Sequence, residues 1–538
     1  MIYIDPPYNT GKEFIYPDNF QDNLDTYLKY TGQTDEVGRK FSINSDTSGR
    51  YHTNWLNMMY PRLKLARNLL RDDGVIFISI DDNERTNLQK LCDEVFGEEN
   101  YLVTFYTQVR YPGKTLAEKN DYQKLIENVL VYQKIDFTPK KKVENYSLDK
   151  FCWEINELSP GKKVTLGKRD VEIFCPENYE IKKVPSSIDA LKETWATGTV
   201  LKSNASGKYF VNYLAPRKNE DGLRVLYKVH GIGEDGIRYR YFTGPQKANA
   251  TSGKFFSGVP SVKRKEIESG ISLKEKPISN FYNFADSFGN CRHEGSIDFR
   301  GGKKPIAFLN TFLEQSLSKD GNEIVLDFFA GSGSIAHTVY EKNFKSKKDS
   351  RFILVQLPEK INEQEKDIAS EFDTIADLSK ERIRRAAKKI KEENPDYRGD
   401  LGFKVFKLDS SNIKRWEADF DTLKQDLLNA VDCIKQDRSS EDVLHELLLK
   451  YGLDLTVPIE TRAIAGKTVY SIGLGALVAC LEKDVSMDVV NGIGALKEEL
   501  RPEIMRVVFK DDGFKDDVVK TNALQTLKRY DIEDIKSL

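Results

Sequence analysis

Residues Ile324–Ala336, IVLDFFAGSGSIA, decide the fold. Ile324 to Leu326 read as a buried strand that closes on Asp327. Gly331 and Gly333 make a tight turn, and "SIAHTVYEKN" opens a helix. That order is the unit of an α/β fold whose ligand lies beyond the C-terminal end of the strand. Gly331, Gly333 and Ala336 fit G-x-G-x-x-G/A, so a dinucleotide is one reading. Asp327 argues against it, because its charge opposes a pyrophosphate and suits a ligand carrying ammonium and sulfonium charge. The next strand, "FILVQLPE", ends at Glu359, placed for ribose hydroxyls. S-adenosylmethionine, a ribose-bearing cation without phosphate, fits better than NAD or FAD. The remaining alternative is a plain turn that needs glycines.

Working outward, helix "PIAFLNTFLEQSL" precedes this unit and helix "LSKERIRRAAKKIKEEN" follows it, stopping before Pro395. The first hundred residues have the same rhythm. Strand Ile2 to Ile4 is followed by "NWLNMMYPRLKLARNLLRDDG", where Leu56, Met59, Leu63, Ala66 and Leu70 recur at helical spacing and Gly74 is placed as a cap. "VIFISID" reads as a strand buried on both faces, and "NLQKLCDEVF" as an amphipathic helix. From Tyr106 to Asn290 the rhythm is lost. Gly, Pro, Lys and aromatics dominate there, with strand-like pieces such as "GKYFVNYL" and "GIRYRYF". The expected architecture is a doubly wound α/β sheet made of residues 1–105 and 291–410. It is interrupted by a β-rich insert at 106–290 and followed by a mixed α and β segment at 411–538.

The first strand runs into Asp5-Pro6-Pro7-Tyr8. Two prolines after an acidic residue fix an extended backbone, which can present the Asp5 carboxylate and the Pro6 carbonyl as two acceptors. Tyr8 adds a flat apolar face. An exocyclic amine on a nucleobase needs such a set, because its lone pair is delocalised into the ring. Two acceptors on its N–H groups favour pyramidal nitrogen and stabilise the charge that builds during methyl transfer. A base in a duplex must first be flipped out to reach them. The competing reading is a strand ended by a rigid Pro-Pro turn.

Composition bounds the rest. Charged residues make up 31% of the 538 and mean hydropathy is -0.53, as in a soluble globular protein of several domains. No apolar run approaches the roughly 20 residues of a membrane span, and no basic-then-apolar leader precedes Asp5, so secretion is not expected. Six scattered cysteines and five scattered histidines suggest reduced thiols and no metal site. Between Leu201 and Asn280 there are 15 Lys and Arg against 7 Asp and Glu, with nine Tyr and Phe in Leu201 to Phe256. From Trp416 to Leu538 the balance is 16 against 24. The first segment suits a polyanion and the second repels one, although a solvated basic face explains the first equally well. For Asp81, Asp82 and Glu84 in "SIDDNE", helix capping is preferred over a cation site. His52 is read as a loop residue without a special role, and "KERIRRAAKKIK" as a solvated helix face at least as readily as a DNA stripe.

"DPPYNTG" with "DFFAGSG" downstream resembles the β-class amino-methyltransferases of DNA. "SGRYHTNWLNMMYPRLKLARNLLRDDGVIFISIDDNE", "GGKKPIAFL", "GFKVFKLDSSNIK" and "DDGFKDDVVKTNALQTLK" resemble, more narrowly, the modification (Mod) subunits of type III restriction–modification systems. The resemblance covers nearly the whole chain, the basic insert least. It implies a circularly permuted, Rossmann-like methyltransferase sheet with the catalytic half first, a target-recognition insert, and a C-terminal domain for Res-subunit or dimer contacts. Asp5, Pro6, Pro7 and Tyr8 would bind and activate the target amine. Asp327, Phe329, Gly331 and Gly333 would line the methionine part of S-adenosylmethionine, Glu359 its ribose, and Lys304 and Pro305 the segment closing over the methionine end. No metal would be required.

The implied substrate is the exocyclic N6 amine of adenine in double-stranded DNA, with the N4 amine of cytosine as the alternative. The implied partners are a Res helicase–nuclease subunit and a second Mod copy, in a prokaryotic cytoplasm. Family members generally carry on the order of a hundred residues before DPPY. Here DPPY starts at residue 5, so the catalytic strand is expected to lack its preceding neighbour. The chain as given is therefore expected to bind the cofactor weakly and methylate poorly, or to serve only in DNA recognition.

Overall fold

The computed structural model describes residues 1–10, 51–113, 121–196, 205–247, 249–250, 252–270, 273–299, 303–317, 321–361, 371–414 and 434–538. Gly11, Ser48 to Arg50, Gly301 and Gly302 of the motifs above, and residues 415–433, lie outside them. The chain forms two compact units, Met1–Leu401 and Gly402–Leu538.

In the first unit the elements run β1 (Ile2–Ile4), α1 (Tyr51–Leu69), β2 (Val75–Ile80), α2 (Arg85–Phe96), β3 (Tyr101–Gln108), β4 (Ile126–Gln133), β5 (Phe281–Asn283), α3 (Ile306–Ser316), β6 (Ile324–Asp327), α4 (Ser334–Ser346), β7 (Arg351–Leu354) and α5 (Ile375–Glu393). Seven strands make one sheet in the order β5-β3-β4-β2-β1-β6-β7. β2, β1, β6 and β7 are mutually parallel, and β4 runs antiparallel to both β2 and β3.

The side-chain period of two in β1 divides the core. Ile2 and Ile4 face α1 and α2, packing with Trp55, Met59, Leu63, Leu88 and Phe96. Tyr3 faces the other way, towards Phe308, Phe312, Ile335 and Val339 of α3 and α4. Helices thus cover both faces, which is why β2 reads as an unbroken apolar run and is buried at every position. On the α3 side Phe312 packs against Tyr3, Phe77, Phe105 and Phe308 at ring separations of 5.0–6.4 Å. Such pairs contribute roughly 0.5–1.5 kcal/mol each beyond burial. They pack the middle of the sheet beneath the strand ends.

Four expectations change here. β1 does not lack a neighbour, since Ile2 pairs with Leu326 of β6 on one edge and with Ile76 of β2 on the other. β3, β4 and β5 fall inside the range 106–290 or across its edge, yet they belong to this sheet. The polar residues flanking Val129–Val131 hide β4 in the sequence, although its centre is fully buried. "GKYFVNYL" is helical at 207–214, because Tyr209, Phe210 and Leu214 point together into the core beneath the neighbouring strands. Gly74 is not the cap of α1, which ends at Leu69. It sits in a following turn, with its N–H on Arg71 O at 2.8 Å.

Beyond β4 the chain leaves through a two-stranded ribbon, Lys142–Asn145 against Leu273–Lys276. Between the two ribbon strands lies an eight-stranded antiparallel sheet assembled from segments within Phe151–Ser257. The second unit packs helices Ser440–Lys450, Met487–Leu500 and Asp517–Arg529 on a five-stranded mixed sheet. No helix among the described residues is long and apolar enough to cross a membrane.

Candidate active site

Adjacent parallel strands β1 and β6 end on the same edge of the sheet, so the DPPY corner and the glycine loop emerge side by side. Asp5 to Tyr8 leave β1 extended. Trp55 on α1, fully buried, donates its Nε1–H to Pro7 O at 2.7 Å and pins the proline pair. Asn9 turns the chain with φ 54°. Its amide donates to Glu84 Oε1 at 2.5 Å, and the Tyr51 hydroxyl donates to its carbonyl. Glu84, fully buried, also takes His52 Nδ1 at 2.6 Å and Asn87 Nδ2 at 2.7 Å. Glu84 makes no side-chain cap to α2, and the Asp81 carboxylate closes a turn on Asn83 N. "SIDDNE" therefore braces the DPPY corner through Glu84, and His52 belongs to that brace.

Lys304, Glu127 and the Tyr8 hydroxyl cluster beside Asp5. Lys304 Nζ donates to the Tyr8 hydroxyl at 2.6 Å and to Glu127 Oε2 at 2.9 Å, and it lies 3.3 Å from Asp5 Oδ1. The Tyr8 hydroxyl donates to Glu127 Oε2 at 3.1 Å. Burial pushes the Asp5 carboxyl up, while Lys304 opposes the rise. Burial acts on Lys304 too, but Asp5 and Glu127 outweigh it and hold the ammonium above its ordinary range. Glu127 ends below its usual value because Lys304 and the Tyr8 hydroxyl overcome its own desolvation. Asp5 Oδ1 is buried without a hydrogen bond.

At the glycine loop Asp327 is 3% exposed, and its Oδ1 accepts from Phe329 N at 3.0 Å. Burial pushes its pKa up to about 8, and nearby Asp5 adds to the rise. Gly331 and Gly333 have φ of 50° and 72°, where L side chains are strained. Their surroundings differ. A Cβ on Gly333 would meet Ser379 Oγ at 2.5 Å, whereas one on Gly331 would find nothing nearer than Phe329 O at 3.9 Å. Packing against α5 requires Gly333; the space beside Gly331 is open. Gly331 N is held by Gln356 Oε1 at 2.7 Å. Below the loop, fully buried Arg382 donates to Ser332 Oγ at 2.9 Å and Ser334 Oγ at 2.5 Å. Half-buried Glu359 follows β7, its carboxyl raised by burial alone. Pro305 is the N-cap of α3, with Leu309 N on its carbonyl at 3.1 Å.

The buried Asp327 carboxylate and the open glycine corner fit a cationic nucleoside rather than a phosphate-bearing one. All eleven residues singled out in the sequence lie within the described structure. Asp5, Tyr8 and Lys304 meet at one corner; Asp327, Phe329, Gly331 and Gly333 form the other. Glu127, Trp55 and Arg382 were not anticipated, and Glu84 was expected to cap a helix rather than to brace the DPPY corner. Arg382 had a usable signal, because it shares a helical face with Leu378, Ser379, Ile383, Ala386 and Ile390. Among the described residues no group of three or more His, Cys, Asp or Glu is arranged to hold a metal ion.

Comparison with known proteins agrees with this geometry. The chain is 31% identical over 76% of its length to the type III restriction-modification enzyme StyLTI Mod subunit of Salmonella typhimurium, and covers 56% of that protein. It is 28% identical to the EcoP15I Mod subunit of Escherichia coli over 87% of this chain and 70% of that one. It is also 28% identical to the type II methyltransferase M.KpnI of Klebsiella pneumoniae, over 74% and 84%. The chain thus spans little more than half the length of the StyLTI subunit. Residues 1–389 match the N6_N4_Mtase family model, described as DNA methylase, and the chain belongs to that family.

Proposed function

We propose that the protein transfers a methyl group from S-adenosylmethionine to the exocyclic N6 amine of adenine in double-stranded DNA. In this reading it is the modification and specificity subunit of a type III restriction–modification system, in a prokaryotic cytoplasm. The observation that carries the proposal is the emergence of DPPY and the glycine loop from neighbouring parallel strands at one sheet edge. A methyl donor held by one then faces an amine held by the other.

The cofactor supplies an electrophilic methyl group. Asp327 would bear its ammonium, the open face of Gly331 would admit its methionine part beside Phe329 and Gly333, and Glu359 would take its ribose. Lys304 and Pro305 close the same edge. At the other corner the Asp5 carboxylate and the Pro6 carbonyl would accept the two amine N–H bonds, aiming the nitrogen lone pair at the methyl. Tyr8 would stack the flipped base, with Pro7 fixed by Trp55 beneath it. After transfer the nitrogen carries an extra proton, and Asp5 is the acceptor within reach.

The sheet order reads as a circular permutation with the catalytic half first. The ribbon-tethered β-sheet, about residues 134–280, is the target-recognition insert in this reading. The unit from Gly402 onward would contact a Res subunit or a second copy. The pairing of β1 on both edges favours an active chain over a recognition-only subunit.

The test is tritiated-methyl transfer to unmethylated genomic DNA followed by nucleoside analysis. The expected product is N6-methyladenine, with Asp5→Ala and Tyr8→Ala each lowering transfer by roughly 100-fold or more while DNA binding persists. N4-methylcytosine would shift the substrate, and DNA binding without any transfer would leave a recognition subunit.

A further inference from the structure

Beside Asp5 stands an ammonium whose shortest hydrogen bonds go to other groups. Lys304 Nζ gives its bonds to the Tyr8 hydroxyl and Glu127 Oε2, at 2.6 and 2.9 Å, and stands at ion-pair distance, 3.3 Å, from Asp5 Oδ1. That Asp5 oxygen is buried and takes no well-aligned hydrogen bond, while the side chain as a whole keeps 21% of its surface exposed. A buried, unpaired carboxylate would normally take a proton. A carboxylate bonded by lysine through both oxygens would have none left for a substrate. The arrangement here avoids both outcomes.

We propose that Lys304 is a positioning residue for methyl transfer: anchored by Glu127 and Tyr8 on the buried Oδ1 side of Asp5, it keeps Asp5 ionised while leaving the other carboxylate oxygen to the target amine. The inference rests on the methyltransferase reading. Lys304 supplies charge, and Glu127 fixes where that charge sits. The groups acting on Asp5 are Lys304 from the segment before α3, Glu127 from β4, and Tyr8 from its own corner. Asp5 in turn bears on Tyr3 of β1 and on Asp327 at the end of β6. Lys304 is the cation of this set, so its removal leaves only influences that raise the Asp5 carboxyl, the Tyr8 hydroxyl excepted.

The two residues therefore have different signatures. In Lys304→Met, Asp5 protonates nearer neutrality, so the acid limb of the kcat/KM profile moves up by about one pH unit or more. Transfer falls about tenfold at pH 6.5 and recovers as pH rises. Lys304→Arg keeps the limb in place. In Glu127→Gln the ammonium loses its anchor and bonds Asp5 directly, which makes the carboxylate a weaker acceptor, so KM for DNA rises several-fold without an upward shift of the limb.

The experiment pairs pH profiles of tritiated-methyl transfer to unmethylated genomic DNA with labelling of the full chain by dicyclohexylcarbodiimide, which attacks protonated buried carboxyls. Mass spectrometry of the Asp5 peptide at pH 7 reads the labelling without any need for activity. Strong Asp5 labelling in Lys304→Met, and little in the wild type and Lys304→Arg, supports the proposal. Equal labelling in all three overturns it, whatever the transfer rates. A wild type that labels as expected but transfers no methyl leaves Lys304's role standing and removes the methyltransferase reading. A Lys304→Met chain with the expected labelling but an unmoved acid limb overturns the link to catalysis.

Discussion

The two corners that meet at the sheet edge are built in opposite ways. The glycine loop is held mainly by its own backbone and by α5 beneath it. The Gly331 N–H sits on Gln356, Gly333 N reaches Ala330 O at 2.9 Å, and the missing Cβ of Gly333 lets Ser379 approach. The DPPY corner is held by side chains from far along the sequence, with Trp55, Glu84, Glu127 and Lys304 each reaching in from a different element. In the proposed reaction, a cofactor that is always the same suits a corner of fixed backbone. A corner that would bind an amine, and then release it methylated, needs charges that can be rearranged, and side chains provide them.

The contrast breaks most severely at Gly333. Valine there takes on the left-handed strain, roughly 1–3 kcal/mol, together with contact at 2.5 Å with Ser379 Oγ and at 3.3 Å with a backbone oxygen that cannot swing away. Calorimetry should find S-adenosylmethionine binding lost and the melting temperature lowered. Gly331→Ala separates the two demands. Its Cβ meets open space, so only the left-handed strain of about 1–2 kcal/mol remains; the melting temperature drops less than in Gly333→Val, while cofactor affinity falls by an order of magnitude or more. Equal melting losses at the two glycines would show that the left-handed backbone, and not their different surroundings, sets both.

At the DPPY corner the corresponding cut is Trp55→Phe, which preserves most of the buried ring and removes one donor. Leaving Pro7 O unsatisfied in a buried site costs about 1–3 kcal/mol. Chemical denaturation of the first unit should show it. Cofactor binding should be unaffected, because nothing at the glycine loop depends on that bond. A loss of cofactor affinity in Trp55→Phe would mean that the corners are coupled through the sheet.

The same difference explains what the sequence could disclose. The glycine loop and DPPY were legible because each is a local run whose residue types follow from backbone geometry. β1, β2 and α1 were legible through their apolar period. The bracing residues were not, since a carboxylate such as Glu84 or Glu127 looks identical in sequence whether it caps a helix or lies buried in a pocket. Arg382 was submerged in a run of basic residues of which it alone is fully buried. "GKYFVNYL" misled because its aromatics favour strands in isolation, and burial of Phe210 and Leu214 one helical turn apart overrode that preference.

Asp327 lies where the two corners meet, and it sharpens the comparison through pH. Its carboxyl is pushed up to about 8 by burial first and by Asp5 next, with only the Phe329 N–H opposing. A cationic ligand binds the carboxylate and not the acid, so binding must expel the proton wherever the free site carries one. The sign follows: affinity is highest above pH 8 and falls as pH drops through 8, by about tenfold for each unit below it. Titration calorimetry between pH 6 and 9, in buffers of different ionisation enthalpy, should show weakening binding and growing proton release towards pH 6. Asp5→Asn removes the neighbouring charge, so the midpoint should move down. The cofactor would then bind more tightly at pH 7 in a variant that cannot hold the amine. A flat profile would mean that Asp327 is already ionised in the free protein and that the DPPY corner does not influence it.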